Sequence, residues 1–373
     1  MSPQLEIQLI AVFVAVACSL PGVFLVLRKM SMVSDAITHT ILLGIVLAFF
    51  YTHNLSSPLL IVGATGIGVV TVWLTEALHR TRLVSDDSAV GIVFPFLFSI
   101  AVILISHYSN SVHLDVDSVL LGELAFAPFE RLQWFGIDWG AKSLYTMGVI
   151  LLINILFISF FFKELKLATF DPMLAAVMGF LPTLLHYGLM TLVSLTAVGS
   201  FEAVGSILVV AFMIGPPVSA YLLTDDLKQM LFLSAGIGIF NAITGFQIAY
   251  ALDVSIAGSM AVMTGVSFLL ILIFAPQRGI LSSFYKREKQ KQLFAIHTLL
   301  FHLLNHENSI GEETECGIYT IRDHLYWKES FLANILKQSQ KKQYIYLDQS
   351  IIRLTELGRR ICREQEIELF LTI

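Results

Sequence analysis

MSMVSDAITHTILLG, residues 30–44, sets Asp35 and His39 four positions apart in a run where Ile37, Ile41 and Leu42 are apolar. Side chains at i and i+4 share one face of a helix. As a helix, the run therefore aims a carboxylate and an imidazole into the same space. Composition says what surrounds them. Of 373 residues, 56% are hydrophobic and 14% charged, against roughly 25% charged in a soluble domain. The chain reads as a membrane protein, and the ionisable pair lies inside one of its spans.

A helix needs about 20 apolar residues to cross about 30 Å of hydrocarbon. On that template the sequence predicts nine spans, near 7–27, 33–51, 58–78, 89–106, 143–163, 183–199, 202–222, 230–251 and 256–275. The first lacks the basic N-region and cleavage site of a secretory signal and reads as a retained span. Lys and Arg concentrate on the cytoplasmic side. Arg28 and Lys29, Arg80 and Arg82, Lys163 and Lys166, and Lys228 fall in alternate loops, followed by a basic tail from Arg278. This puts the N-terminus outside, the C-terminus inside, and a long outer loop at 107–142 that carries Asp115, Asp117, Glu123, Glu130 and Asp138. Cys18, Cys316 and Cys362 are far apart, with neither disulfide-framework nor zinc-knuckle spacing.

From Arg28 to His39 is a climb of about 16 Å if the path is helical, near the membrane midplane. Charge at that depth costs several kcal/mol unless paired or hydrated, and such groups line pathways. A carboxylate beside an imidazole suits first-row divalent ions; a structural pair joining two helices is the alternative. Glu202, in GSFEAVGSILVV, begins an apolar span and either faces the pathway or caps that helix at its outer end. His186, near the cytoplasmic side, reads as a packing residue. His107 and His113, with Asp115 and Asp117, either steer cations or belong to a solvated acidic loop. In FDPMLAAVMGFLP, residues 170–182, Asp171 is an N-cap and Pro172 the first helical residue, while Gly179 and Pro182 end a short helix. No GxxxxGK[ST] loop is present, so the chain is not expected to be an ATPase itself.

Several runs together resemble the membrane permeases of ATP-binding-cassette importers for zinc, manganese and iron. They are RKMSMVSDAITHTILLG, SDDSAVGIVFPFLFSIAVILIS, FDPMLAAVMGF, FEAVGSILVVAFMIGPPVSAYLLT and AYALDVSIAGSMAV through APQRG, in the family's order over about the first 280 residues. Ser34 stands where the family often has Gly, and Leu43 where it often has Pro. The resemblance implies an all-α polytopic protein with about nine transmembrane helices, of the type II ABC importer kind, in the bacterial inner membrane. A second permease subunit, identical or a sister, would enclose the pathway. A cytoplasmic ATPase and an extracytoplasmic metal-binding protein would be the other partners. Asp35 and His39 match the family's pathway carboxylate and imidazole. Asp171, Pro172, Ala175, Ala176 and Gly179 would form the coupling helix. No cofactor is expected on this chain, and the cargo would be a divalent metal, with the outer run HLDVDSVLLGELAFAPFERL favouring manganese or iron over zinc.

After APQRG the hydropathy collapses, dividing a permease domain, 1–280, from a cytoplasmic domain, 281–373. The tail predicts helices near 289–306, 318–325 and 328–338, two short strands in YIYLDQSIIRL, and a helix from TELGRRICRE. That order, and RLTELGRRICREQEIELFL in particular, resembles the winged helix of the diphtheria-toxin-repressor family. In that fold residues 328–338 would be the recognition helix, with Lys328, Lys337, Lys341 and Lys342 at phosphates. A docking or regulatory module fits better, because Glu329 is a poor base reader and no dimerisation domain follows. The competing function is a membrane-anchored, metal-responsive transcription regulator with nucleic acid as its partner.

Overall fold

The computed structural model describes residues 3–53, 57–108, 124–134, 137–309 and 311–371, without side chains at 133–139 and beyond 364. The chain forms two compact units, Met1–Gly279 and Ile280–Ile373. Among the described residues of the first unit, nine helices are long and apolar enough to span a membrane. They are α1 (Pro3–Leu27), α2 (Ser31–Thr52), α3 (Leu59–Arg80), α4 (Asp86–Tyr108), α5 (Lys142–Phe160), α8 (Pro182–Val204), α9 (Ser206–Leu223), α10 (Leu227–Leu252) and α11 (Ile256–Phe274). Two short helices, α6 (Phe162–Phe170) and α7 (Pro172–Val177), join α5 to α8.

The core is built on α1, which packs against α5, α8, α9 and α10. Ile10, Val14, Cys18 and Phe24 are fully buried there. Between helices in lipid there is no water to expel, so close packing and polar contacts hold them together. Pro21 lies inside α1 and has no N–H for the Ala17 carbonyl. Asn154 of α5 supplies the missing donor, its Nδ2 lying 2.8 Å from the Ala17 oxygen and 3.0 Å from Thr196 Oγ1. Replacing Asn154 by Leu strands that carbonyl. We expect a loss of about 1–2 kcal/mol, read as earlier thermal unfolding of the purified chain. Pro217 likewise frees the Met213 carbonyl, and Gly22 of α1 sits against it so closely that a Cβ would lie 2.1 Å from the oxygen.

Two span boundaries differ from the sequence reading. The sequence placed residue 202 in the seventh span; the break comes instead at Gly205, with φ 79° and ψ 167°, so Phe201–Val204 finish α8. No side chain but glycine's takes that conformation readily, whereas hydropathy is continuous across it. In the long loop, Arg131–Trp134 (β1) and Ile137–Ala141 (β2) pair as an antiparallel hairpin that the sequence reading did not foresee.

The second unit contains α12 (Ile280–His306), α13 (Glu312–Glu315), α14 (Ile321–Leu325), α15 (Glu329–Lys341), the antiparallel strands β3 (Ile345–Asp348) and β4 (Ile351–Leu354), and α16 (Glu356–Leu371). Ile296, Leu299, Leu300, Leu303, Ile321, Ile335 and Ile352 make its core. The first helix starts well before residue 289. The polar stretch KREKQKQ consists of helix formers and needs no break.

Candidate functional site

The chain turns between α1 and α2 through Lys29, at φ 59°. The path from Arg28 to His39 is therefore not one continuous helix. His39 lies eight residues into α2, about 12 Å along a helix of about 33 Å, a few ångströms to the Arg28 side of its midpoint. Ser34 stands where a glycine was the expected form and Leu43 where a proline was, and α2 runs unbroken through both.

Along α2 the hydroxyls are satisfied locally. Ser34 Oγ donates to the Ser31 carbonyl at 2.7 Å and Thr38 Oγ1 to the Asp35 carbonyl at 2.7 Å. Thr40 Oγ1 donates to the Ile37 carbonyl and accepts from Thr71 of α3 at 2.8 Å. Asp35 and His39 face each other instead, Oδ1 to Nε2 at 3.5 Å, with side chains 45% and 32% exposed. The imidazole rests against α4, its centroid 5.4 Å from Phe94 and 6.3 Å from Phe98. One side of the pair is thus walled by aromatic rings and the other is open. Such a site offers one oxygen and one nitrogen, too few to close the coordination sphere of a divalent ion.

Glu202 lies elsewhere. It is in the last turn of α8, about 30 Å along that helix from Pro182, and its Oε1 is 3.2 Å from Lys142 Nζ. It therefore closes a helix rather than opening one, and its partner is a lysine at the start of α5. His113, Asp115, Asp117 and Glu123 lie outside the described residues.

At the Arg28 end, the spans open onto a cavity of about 650 Å³ bordered by Arg28, Glu76, His79, Asp86, His186 and Tyr187. His186 pairs with Glu76 through Nε2 and lies 3.0 Å from Arg28 Nη1 through Nδ1. Tyr187 donates to Glu76 at 3.0 Å, and Arg28 Nε donates to Thr169 at 3.2 Å. Burial pulls the Arg28 guanidinium down to about 10, against the opposing pull of Glu76. It stays a full cation at neutral pH. This network ties the α1–α2 turn to α3, α6 and α8. The sequence reading missed Glu76, which stands alone in the apolar stretch of α3 with no motif to mark it.

Beside this cavity lies the short α7. Asp171 Oδ1 accepts from the Leu174 amide at 2.9 Å, Pro172 opens the helix, and Gly179 turns the chain at φ 86°. Pro182 does not end this helix; it opens α8. Ala175 is fully buried against Ala168 and Leu185 and cannot belong to an outer face. Met173 and Val177, 83% and 84% exposed, form that face.

Nine spans among the described residues, with a short apolar helix between two of them, are the frame of a multi-pass membrane protein. The family model for the ABC 3 transport family matches residues 5–275, and the chain belongs to that family. Its members are membrane subunits of ABC transporters, with ATP hydrolysis on a separate subunit. The chain is 43% identical over 355 residues to the zinc transport system membrane protein TroD of Treponema pallidum, covering 95% of this chain and 96% of that one. It is 46% identical over 271 residues to the manganese transport system membrane protein MntD of Bacillus subtilis, covering 73% and 92%. Among solved structures it is similar to PsaBC from Streptococcus pneumoniae in complex with Fab, with a TM-score of 0.63 and 27% identity over 74% of this chain and 94% of that one.

Proposed function

We propose that the chain is the permease subunit of an ATP-driven importer in the bacterial cytoplasmic membrane and carries a divalent transition metal past Asp35 and His39. The observation that carries this reading is the half-exposed pair itself. A carboxylate and an imidazole do not face lipid, so their open side belongs against a second permease subunit. Two copies of the pair would offer two oxygens and two nitrogens, enough to replace part of an ion's water shell while still letting it leave. Relatives named for zinc and for manganese fit the same donor set, which suits manganese, ferrous iron and zinc. An extracytoplasmic metal-binding protein would deliver the ion. The test is ATP-dependent uptake of these three ions by vesicles holding the assembled complex; no uptake of any of them overturns the reading.

The face of Met173 and Val177 would dock the partner ATPase, with Asp171, Pro172 and Gly179 shaping the helix, Ala175 anchoring it and Ala176 beside the contact. Met173→Glu with Val177→Glu places charge in an apolar contact. At least a tenfold drop in ATPase retained on purification is expected, the size of a lost interface anchor. Unchanged retention would place the docking surface elsewhere.

The element order of the second unit supports a winged-helix reading of the 281–373 domain, as a docking or regulatory module of the 1–280 permease. Nucleic acid is left out of this reading. Glu329 opens the helix that would enter a groove, and Lys342 Nζ lies over the Tyr344 ring, 5.8 Å from its centroid.

A further inference from the structure

In the second unit three elements bring imidazoles and a carboxylate together. His302 and His306 stand one turn apart on α12, ring centroids 4.8 Å apart. Glu315 closes α13, and His324 lies on α14 with its Nδ1 3.0 Å from Glu315 Oε2. His302 Nε2 is aimed at the same residue, 3.0 Å from its carbonyl oxygen and 4.0 Å from its carboxylate. One donor atom from each of His302, His306 and Glu315 lies within 4.8 Å of the others. Ligands around a tetrahedral ion at about 2.0–2.2 Å stand about 3.3 Å apart. His324 stands just outside this group, its ring centroid 6.2 Å from that of His302.

The neighbouring acidic groups have other partners. Glu307 binds Arg359, with Oε2 3.2 Å from Nε, and Glu312 binds Arg353 at 3.4 Å. Glu315 is the one turned to the imidazoles. Behind the cluster Leu299, Leu303, Cys316 and Ile321 are buried and hold the three elements in place. Burial, helped by Glu312, Glu315 and Glu307, pushes the Cys316 thiol up to about 11. Its side chain is spent on packing in the core of the unit.

We propose that His302, His306, Glu315 and His324 form a metal site in the second unit, distinct from the transport pathway, that takes a late first-row divalent ion, zinc foremost. Three neutral imidazoles and one carboxylate make a complete four-ligand set, the arrangement of a structural or sensing site rather than one that passes its ion along. An ion held there cross-links α12, α13 and α14, so its occupancy sets the rigidity of the unit.

The test uses the full chain in detergent, in an Asp35→Asn/His39→Ala background that removes the pathway pair, with cobalt(II) as the probe. The expected result is one cobalt per chain with the intense visible bands of four-coordinate geometry, and binding at least tenfold weaker in His302→Ala and His324→Ala. Absence of those bands, or equal affinity in both variants, overturns the proposal. Thermal unfolding in excess chelator checks that the variants fold as the parent does, and zinc should then raise the transition of the parent alone. Should His302→Ala unfold early in chelator, His306→Ala at the end of α12 carries the same test. Because the background lacks the pathway pair, this outcome is independent of whether the chain transports metal.

Discussion

ATP-dependent uptake of the cargo ion should be lost in Asp35→Asn and in His39→Ala, each falling by more than the roughly 10–100-fold that removal of a mere supporting group costs a metal site. Ser34, Thr38 and Thr40 spend their hydroxyls on the helix backbone. Asp35 and His39 instead turn a carboxylate and an imidazole toward each other, partly exposed beside Phe94 and Phe98. Asn retains shape and loses charge, so the first variant isolates the electrostatic contribution. His39→Ala removes a nitrogen donor that no neighbour on α2 replaces. Glu202→Gln is the contrast: an exposed ion pair with Lys142 contributes at most about 1 kcal/mol, and uptake should stay within about twofold of wild type. Assembly with the ATPase must persist in all three variants for the comparison to count. Normal uptake in both pair variants would make Asp35 and His39 structural.

The second large effect is expected at Gly44, one turn beyond the pair. A Cβ there would lie 2.5 Å from Ala64 Cα, 2.6 Å from the Gly63 oxygen and 2.8 Å from Ala64 N. All three are backbone atoms of α3, so no rotamer change relieves the clash and α2 must move away from α3. The approach is mutual, since a Cβ on Gly63 would lie 2.9 Å from the Gly44 oxygen. Small residues facing each other in this way let helices in lipid pack closely. Overpacking such a contact costs about 1–3 kcal/mol even for a methyl group, and a branched side chain costs more. Gly44→Val should therefore unfold roughly 5 °C or more below wild type in detergent and lose uptake with it, because α2 carries the pair. Gly66 is the control: a Cβ there meets nothing within 4 Å, and Gly66→Ala should unfold with wild type or above it. If Gly44→Val unfolds together with Gly66→Ala, the α2–α3 contact is not the constraint described.

Much of the architecture was legible because membrane insertion reads the chain locally. Nine spans stood out in the hydropathy, and helices occupy each of them within a few residues. The short helix after Asp171 was legible from Asp-Pro at its start and glycine at its end, since capping depends on neighbours in sequence. The i, i+4 spacing of Asp35 and His39 was sufficient to put them on one helix face.

Other features depend on residues that meet only after folding. Glu202 read as either a pathway residue or a cap at the start of a span, and the glycine break at 205 puts it at the end of α8 beside Lys142, 60 positions earlier in the chain. Glu76 carried no motif, yet His186 and Tyr187 meet it from α8, and Arg28 joins the network through His186. His302, His306, Glu315 and His324 are unremarkable in sequence, spread over one long and two short helices. What the sequence by itself determined is which segments enter the membrane, where helices start, and which side chains share a face, because burial in lipid and capping are properties of a segment and its neighbours. Which polar groups meet, and which face stays open for an ion or a partner, was decided only by the tertiary structure, because helix packing chooses contacts between residues far apart in sequence that no local pattern encodes.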